Sequence, residues 1–132
     1  MRTVVAALIE EKGRILICQR RAGDHFAHLW EFPGGKVERG ETLEAALRRE
    51  LLEELGVESS IGPEYHRVHH QYAGMPAALE LVFFRATLAA PPRNLAFERI
   101  EWVLRSGLAD YEFLPADREL VAQLASGSAA SA

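Results

Sequence analysis

Glu50, Glu53 and Glu54 crowd three carboxylates into five residues, with Arg49 directly before them. Wound at about 100° per residue, the stretch puts Leu43, Ala46 and Leu47 on one helix face that runs on into the three acids, while Leu51 and Leu55 shift the apolar contact sideways. Acids at this spacing repel one another, and they sit near the helix end that the backbone dipole already makes negative. Each effect costs roughly a few tenths of a kcal/mol or more. A solvated acidic face would intersperse bases and keep its apolar stripe elsewhere, and only Arg49, four residues before Glu53, partly does so. A divalent cation removes the cost, because hard oxygen ligands at this spacing converge on one point. Mg²⁺ takes a few carboxylates together with substrate phosphates. No Asp-rich loop of the kind that cages Ca²⁺ is present, so the cation is expected to be shared with a phosphate-bearing substrate. This is also how a chain of net charge −4 can bind a polyanion.

The elements that must position these acids can be read from punctuation and period. Thr42 caps a helix expected over about Thr42–Leu55, Glu44 favours its positive end, and Gly56 stands where a left-handed residue ends it. Ahead of it, "RTVVAALIE" and "RILICQRR" are apolar β-branched runs joined by "EKG", which predicts a largely buried hairpin turning at Gly13. The segment "RAGDHFAHLWEFPGGKVERGE" has no sustained period and predicts a long functional loop with short strand pieces. Beyond the helix, "VESSIG", "YHRVHHQY", "ALELVFFRATL" and "ERIEWVL" predict four strands, interrupted by Gly74 with Pro76 and by "AAPPRN". A last helix is expected over about Ala116–Leu124, packing through Leu120, Val121 and Leu124. The order suggests a mixed sheet with helices against it, an α/β or α+β sandwich.

At 132 residues, 48% hydrophobic and 26% charged, the chain suits one compact domain, expected over residues 1–125 with a flexible tail at 126–132. The interspersed charge argues against duplex nucleic acid as a partner. The apolar run Val4 to Ile9 is too short to span a membrane. The lone Cys18 suits a reducing compartment and reads as a buried strand residue, so a cytoplasmic location is expected.

Residues Gly35 to Val57 resemble the complete Nudix box: Gly35, Glu41, Arg49, Glu50, Leu51, Glu53, Glu54, Gly56 and Val57 all fit its pattern. Outside it, "RRAGDHFAHLWEFPGGK" and "LPADREL" resemble the MutT-like branch of that family, so the likeness runs from about Val4 to Leu124. The resemblance implies a Nudix fold and Mg²⁺-dependent (or Mn²⁺-dependent) hydrolysis of a damaged or surplus nucleoside triphosphate, such as 8-oxo-dGTP, to the monophosphate and pyrophosphate. It also implies Glu50, Glu53 and Glu54 as metal ligands, the Gly34 carbonyl as another, and Arg49 as the ion-pair partner that orients Glu50 or Glu53. A further ligand is implied at Glu101, the acid before Trp102 in a later strand, with Glu98 as the alternative. Arg21, His25, Glu31, Phe32 and Lys36 fall where MutT-like proteins contact nucleotide. Against each stands a structural reading: a strand-end charge for Arg21, a core aromatic for Phe32, a solvated cation for Lys36.

Asp117 departs from the pattern. Proteins of this branch that read oxidised guanine resemble "PAN" at this point, whereas "PAD" stands here and is similar to cytidine-nucleotide pyrophosphatases. An ionised Asp only accepts hydrogen bonds, while an amide also donates. An ionised acid would suit the exocyclic amino group of cytosine or a guanine edge presenting donors, and plain helix capping is the structural alternative. A (d)CTP-type pyrophosphatase and a non-catalytic Nudix-like sensing or interaction domain are the competing functions, and either a monomer or a homodimer is compatible. His69 and His70, one on each face of a strand, and Trp30 and Trp102 read as structural.

Overall fold

The computed structural model describes residues 2–71, 73–74 and 78–127. The chain folds as two compact units, Met1–Ile9 with Pro33–Ala96, and Glu10–Phe32 with Phe97–Ala132.

The first unit is built on β1 (Arg2–Leu8), whose continuous apolar run is buried from Val5 onward because neighbours pair with it on both edges. It runs parallel to β7 (Leu79–Leu88), Val5 opposite Val82, and antiparallel to β5 (Gly34–Lys36), Val5 opposite Gly35. The sheet order is β5, β1, β7, β6. Strand β6 (Ser59–His70) joins two stretches that the sequence separates: "VESSIG" and "YHRVHH" form one strand. Gly62 and Pro63 register as irregularities between Ile61 and Glu64, which fits a proline that cannot donate to the ladder. Tyr72 and Pro76 lie outside the described residues.

Helix α1 (Leu43–Leu55) has the expected ends. The Thr42 hydroxyl accepts from Ala45 N at 3.1 Å, and Gly56 closes the helix at φ 68°. Ala46, Leu47, Leu51 and Leu55 are buried against β1, β5 and β6.

In the second unit the expected hairpin is real but belongs to other strands. β2 (Glu10–Glu11) and β3 (Arg14–Gln19) flank a two-residue turn in which Lys12 and Gly13 both have positive φ, the form that matches strand twist. The apolar run Val4–Ile9 instead enters the other sheet, a switch that periodicity alone does not reveal. β3 also pairs with β4 (Trp30–Glu31), one of the short strand pieces in the long loop, and along its length with β8 (Arg99–Leu104), all antiparallel. Cys18 is buried on β3. Helix α2 (Arg118–Ser126) starts two residues later than expected and runs past Leu124 to a left-handed Gly127. Pro115, Ala116 and Asp117 form a tight 3-10 turn in which Asp117 N donates to Leu114 O at 3.0 Å. The fold is thus α+β, with a mixed sheet in the first unit and an antiparallel sheet in the second. Residues 128–132 of the expected tail lie outside the described residues.

Candidate active site

The acidic turn of α1 lies over the glycine pair of β5. Gly35 has no side chain, and the Glu50 carboxylate fills the space where one would be: a Cβ there would collide with it, with Oε2 2.8 Å away. Gly34 N donates to Glu54 Oε1 at 3.1 Å. A Cβ on Gly34 would run into the Val5 carbonyl and the Ala6 backbone, so this glycine is required by the strand pairing itself. Glu50 (side chain 17% exposed) and Glu54 therefore lie within the docking stripe between Ala46 and Leu47. Glu53, at the edge of that stripe, is 59% exposed.

Arg49 ties the turn together. Its Nη1 donates to Glu50 Oε2 at 2.7 Å and to Glu53 Oε1 at 3.1 Å, and its Nη2 donates to the Lys36 carbonyl at 3.0 Å. Glu41 receives the other side of the fork, from Nε at 2.7 Å and Nη2 at 2.9 Å. Glu41 fits the box pattern but has no role in the sequence reading. Here it fixes Arg49 bidentately, and Arg49 with the Glu38 N–H holds its carboxyl down at about 2. Glu50 goes the other way: burial raises it, Arg49 opposes that, and Glu53 and Glu38 add repulsion.

Among the described residues no three acidic, His or Cys side chains are gathered around one point as a preformed cage. Each acid has a protein donor instead, Arg49 for Glu50 and Glu53 and the Gly34 N–H for Glu54. Hard oxygens held on a cradle that admits no Cβ, one of them raised by burial, are a donor set that fits a hard divalent cation.

The remaining sequence candidates divide between the units. Lys36 is exposed, and its carbonyl serves Arg49. Glu101, in the second unit, lies on β8 opposite Ile17. Its Oε2 accepts from the Tyr111 hydroxyl at 2.8 Å, and Arg99 is 3.5 Å from Oε1, so it is not an idle surface acid. Glu98 is exposed. Arg21 is exposed as well, and the neighbour that sequence reasoning passed over, Arg20, is the one that pairs with Glu31, at 3.1 Å. The Arg20 Nε also donates to the His25 carbonyl at 2.7 Å, while the His25 residue itself is exposed. Phe32 is buried and stacks on Phe113, 5.4 Å between centroids.

Asp117 is only 3% exposed, the one charged residue type in the core of the described chain. It makes no side-chain capping bond to α2. Burial first, and then the negative charge of Glu31, push its carboxyl well above the usual range. Burial also raises Glu31, against the pull of Arg20. Both causes favour the protonated form of Asp117, and a protonated carboxyl donates through its hydroxyl and accepts through its carbonyl, as an amide does, where the ionised form only accepts.

The fold and the seated acidic box define the class of protein. The NUDIX domain model matches residues 1–124, and the chain belongs to that family. It is 40% identical over 131 residues to the putative 8-oxo-dGTP diphosphatase 2 of Mycobacterium tuberculosis, covering 96% of this chain and 92% of that one. It is 54% identical over 68 residues to the CTP pyrophosphohydrolase of Escherichia coli, a match spanning 52% of this chain and only half the length of that relative. Among solved structures it superposes on the MutT NUDIX hydrolase of Burkholderia pseudomallei with a TM-score of 0.79 and 28% identity, covering 92% of this chain and 96% of that one. Within the family it falls among the MutT-like hydrolases. Among the described residues no helix is long and apolar enough to cross a membrane.

Proposed function

We propose that the chain is a cytoplasmic nucleoside triphosphate pyrophosphohydrolase that works with Mg²⁺, or Mn²⁺ in its place, and releases the monophosphate and pyrophosphate. The observation that carries this reading is the seating of Glu50 and Glu54 on Gly35 and Gly34, an arrangement that a solvated acidic face has no need to build. Glu50, Glu53, Glu54 and the Gly34 carbonyl would hold the cation. When bound, such a cation neutralises phosphate charge and lowers the pKa of a bound water. The protein's part is positioning: Arg49 aims Glu50 and Glu53, Glu41 fixes Arg49, and the glycines let the carboxylates approach the strand. Reactions of this kind depend chiefly on such positioning and on charge neutralisation. The family model extends over segments of both units, which supports reading 1–125 as one working domain.

For the base, Asp117 in the protonated form that its burial favours, with Glu31 beside it, would suit an edge carrying a hydrogen-bond donor and an acceptor side by side. Cytosine presents such an edge through its amino group and N3, and 8-oxoguanine through its protonated N7 and O6. The names of the two curated relatives match these two bases. The test is kcat/KM, with products identified, over a panel of (d)NTPs including 8-oxo-dGTP and 5-substituted dCTP. Asp117→Asn, which keeps a donor and an acceptor, is expected to retain the preferred base, and Asp117→Ala to lose the preference. Equal ratios across the panel for wild type and Asp117→Ala would remove Asp117 from the base site. Tight nucleotide binding without turnover would favour the sensing domain instead.

A further inference from the structure

The last turn of α1 has an unresolved electrostatic problem that the box does not solve. It carries Glu53 and Glu54 at the negative end of the helix and has no basic residue of its own. Helix ends of this kind leave carbonyls without intrahelical partners, and a cation placed beside them is stabilising.

Both needs are met from 37 residues further along the chain. Arg93 N donates to the Leu55 carbonyl at 2.8 Å, and Leu95 N donates to the Glu54 carbonyl at 3.0 Å. The Arg93 guanidinium lies against Gly56, with Nη2 3.4 Å from the Gly56 carbonyl. A Cβ on Gly56 would fall 2.5 Å from that nitrogen and 2.8 Å from Nε. Gly56 is therefore doubly required, for its left-handed φ and for the seat of Arg93. The preceding Pro91 and Pro92 have no N–H to offer and fix their own φ, so Arg93 is the first residue after the prolines able to donate.

We propose that the Arg93–Leu95 segment is a latch for the carboxylate turn, and that Arg93 is a positioning residue that holds the backbone from which Glu53 and Glu54 would reach the cation. The inference rests on the reading of these glutamates as metal ligands. It carries a sign that separates positioning from simple electrostatics. A positive charge near a cation site repels the cation, so removing Arg93 tightens binding if charge is all that matters. If Arg93 holds the turn in place, removing it weakens binding.

The experiment titrates Mn²⁺ alone into wild type, Arg93→Ala, Arg93→Lys and Glu53→Gln, followed by calorimetry or Mn²⁺ EPR at a temperature where melting curves show all four folded. The latch predicts that Arg93→Ala binds about five- to tenfold more weakly than wild type. Arg93→Lys, which retains the charge and one donor at the Gly56 carbonyl, should recover part of the loss. Affinity in Arg93→Ala equal to or tighter than wild type, with Glu53→Gln clearly weakened, overturns the latch and leaves the metal site standing. Unchanged affinity in Glu53→Gln overturns the metal site itself. Leu95→Pro, which deletes the N–H given to Glu54 and leaves the charge in place, should weaken Mn²⁺ in the same direction as Arg93→Ala, and an unaltered affinity there also counts against the latch.

Discussion

Adding one methyl group at each of the two β5 glycines should separate chemistry from stability. At Gly35 the three atoms nearest the added carbon all belong to the end of the Glu50 side chain. The carboxylate can swing away, so the fold is retained, with a stability change within about 1 kcal/mol. The displaced carboxylate no longer lies where Arg49 aims it, and a misplacement of about 1 Å typically costs about 100-fold in rate. At Gly34 the carbon meets the Val5 carbonyl and Ala6 Cα, which are backbone of a central strand and cannot step aside. Overpacking of that kind costs about 1–3 kcal/mol, or a fall of roughly 3–12 °C in Tm for a chain of this size. The assay is pyrophosphate release at saturating Mg²⁺ beside a thermal melt for each variant. Gly35→Ala is expected to melt with wild type and turn over about 100-fold more slowly, whereas Gly34→Ala melts early. Full activity in Gly35→Ala, or a larger loss of Tm there than in Gly34→Ala, would refute the seating of Glu50.

The buried acid supplies a pH dependence. Asp117 is raised above its usual 3.8, so between that value and its folded pKa the native state keeps a proton that the unfolded chain releases. Stability should therefore fall as pH rises through that window, by at most about 1.4 kcal/mol per pH unit, and level off above it. Urea denaturation should show Asp117→Asn free of this slope and more stable than wild type at pH 8, with the two converging below pH 4. Arg49→Lys keeps a charge but not the fork that engages Glu41, Glu50 and Glu53 together; kcat should drop about 10- to 100-fold, and steady-state kinetics that matched wild type would argue against the hub. Thr42→Ala removes the cap on Ala45 N and should cost about 1 kcal/mol in urea melts, with little change in kcat.

Local chemistry was legible in the sequence, and long-range partnership was not. The ends of α1 could be read because Thr42 and Gly56 act on their own neighbours. The acids could be located because their spacing maps onto one face of a helix. Glu53 shows the limit of that mapping, since a residue at the stripe's edge can be turned outward while Glu50 and Glu54 are held in. The sheet switch after Leu8 was hidden because an apolar β-branched run has the same pattern whichever sheet it joins. The two halves of β6 looked separate because Gly62 and Pro63 carry the punctuation of a turn, and in the sheet they serve as an irregularity. Which of two adjacent arginines meets Glu31 depends on strand phase at the end of β3, and the sequence pattern does not single out Arg20 for that pair. The upward shift of the Asp117 carboxyl follows from burial and from Glu31, and no local pattern reveals either.

The central claim is that the acidic turn of α1, seated on the β5 glycines, holds the cation that makes pyrophosphate hydrolysis possible. Its most direct test is Mg²⁺-dependent pyrophosphate release by wild type and Glu54→Gln on the best substrate of the (d)NTP panel. The account predicts turnover by wild type only when a divalent cation is added, and a loss of about 100-fold or more in Glu54→Gln at unchanged Tm. Cation-independent turnover, or a Glu54→Gln protein as active as wild type, would contradict it.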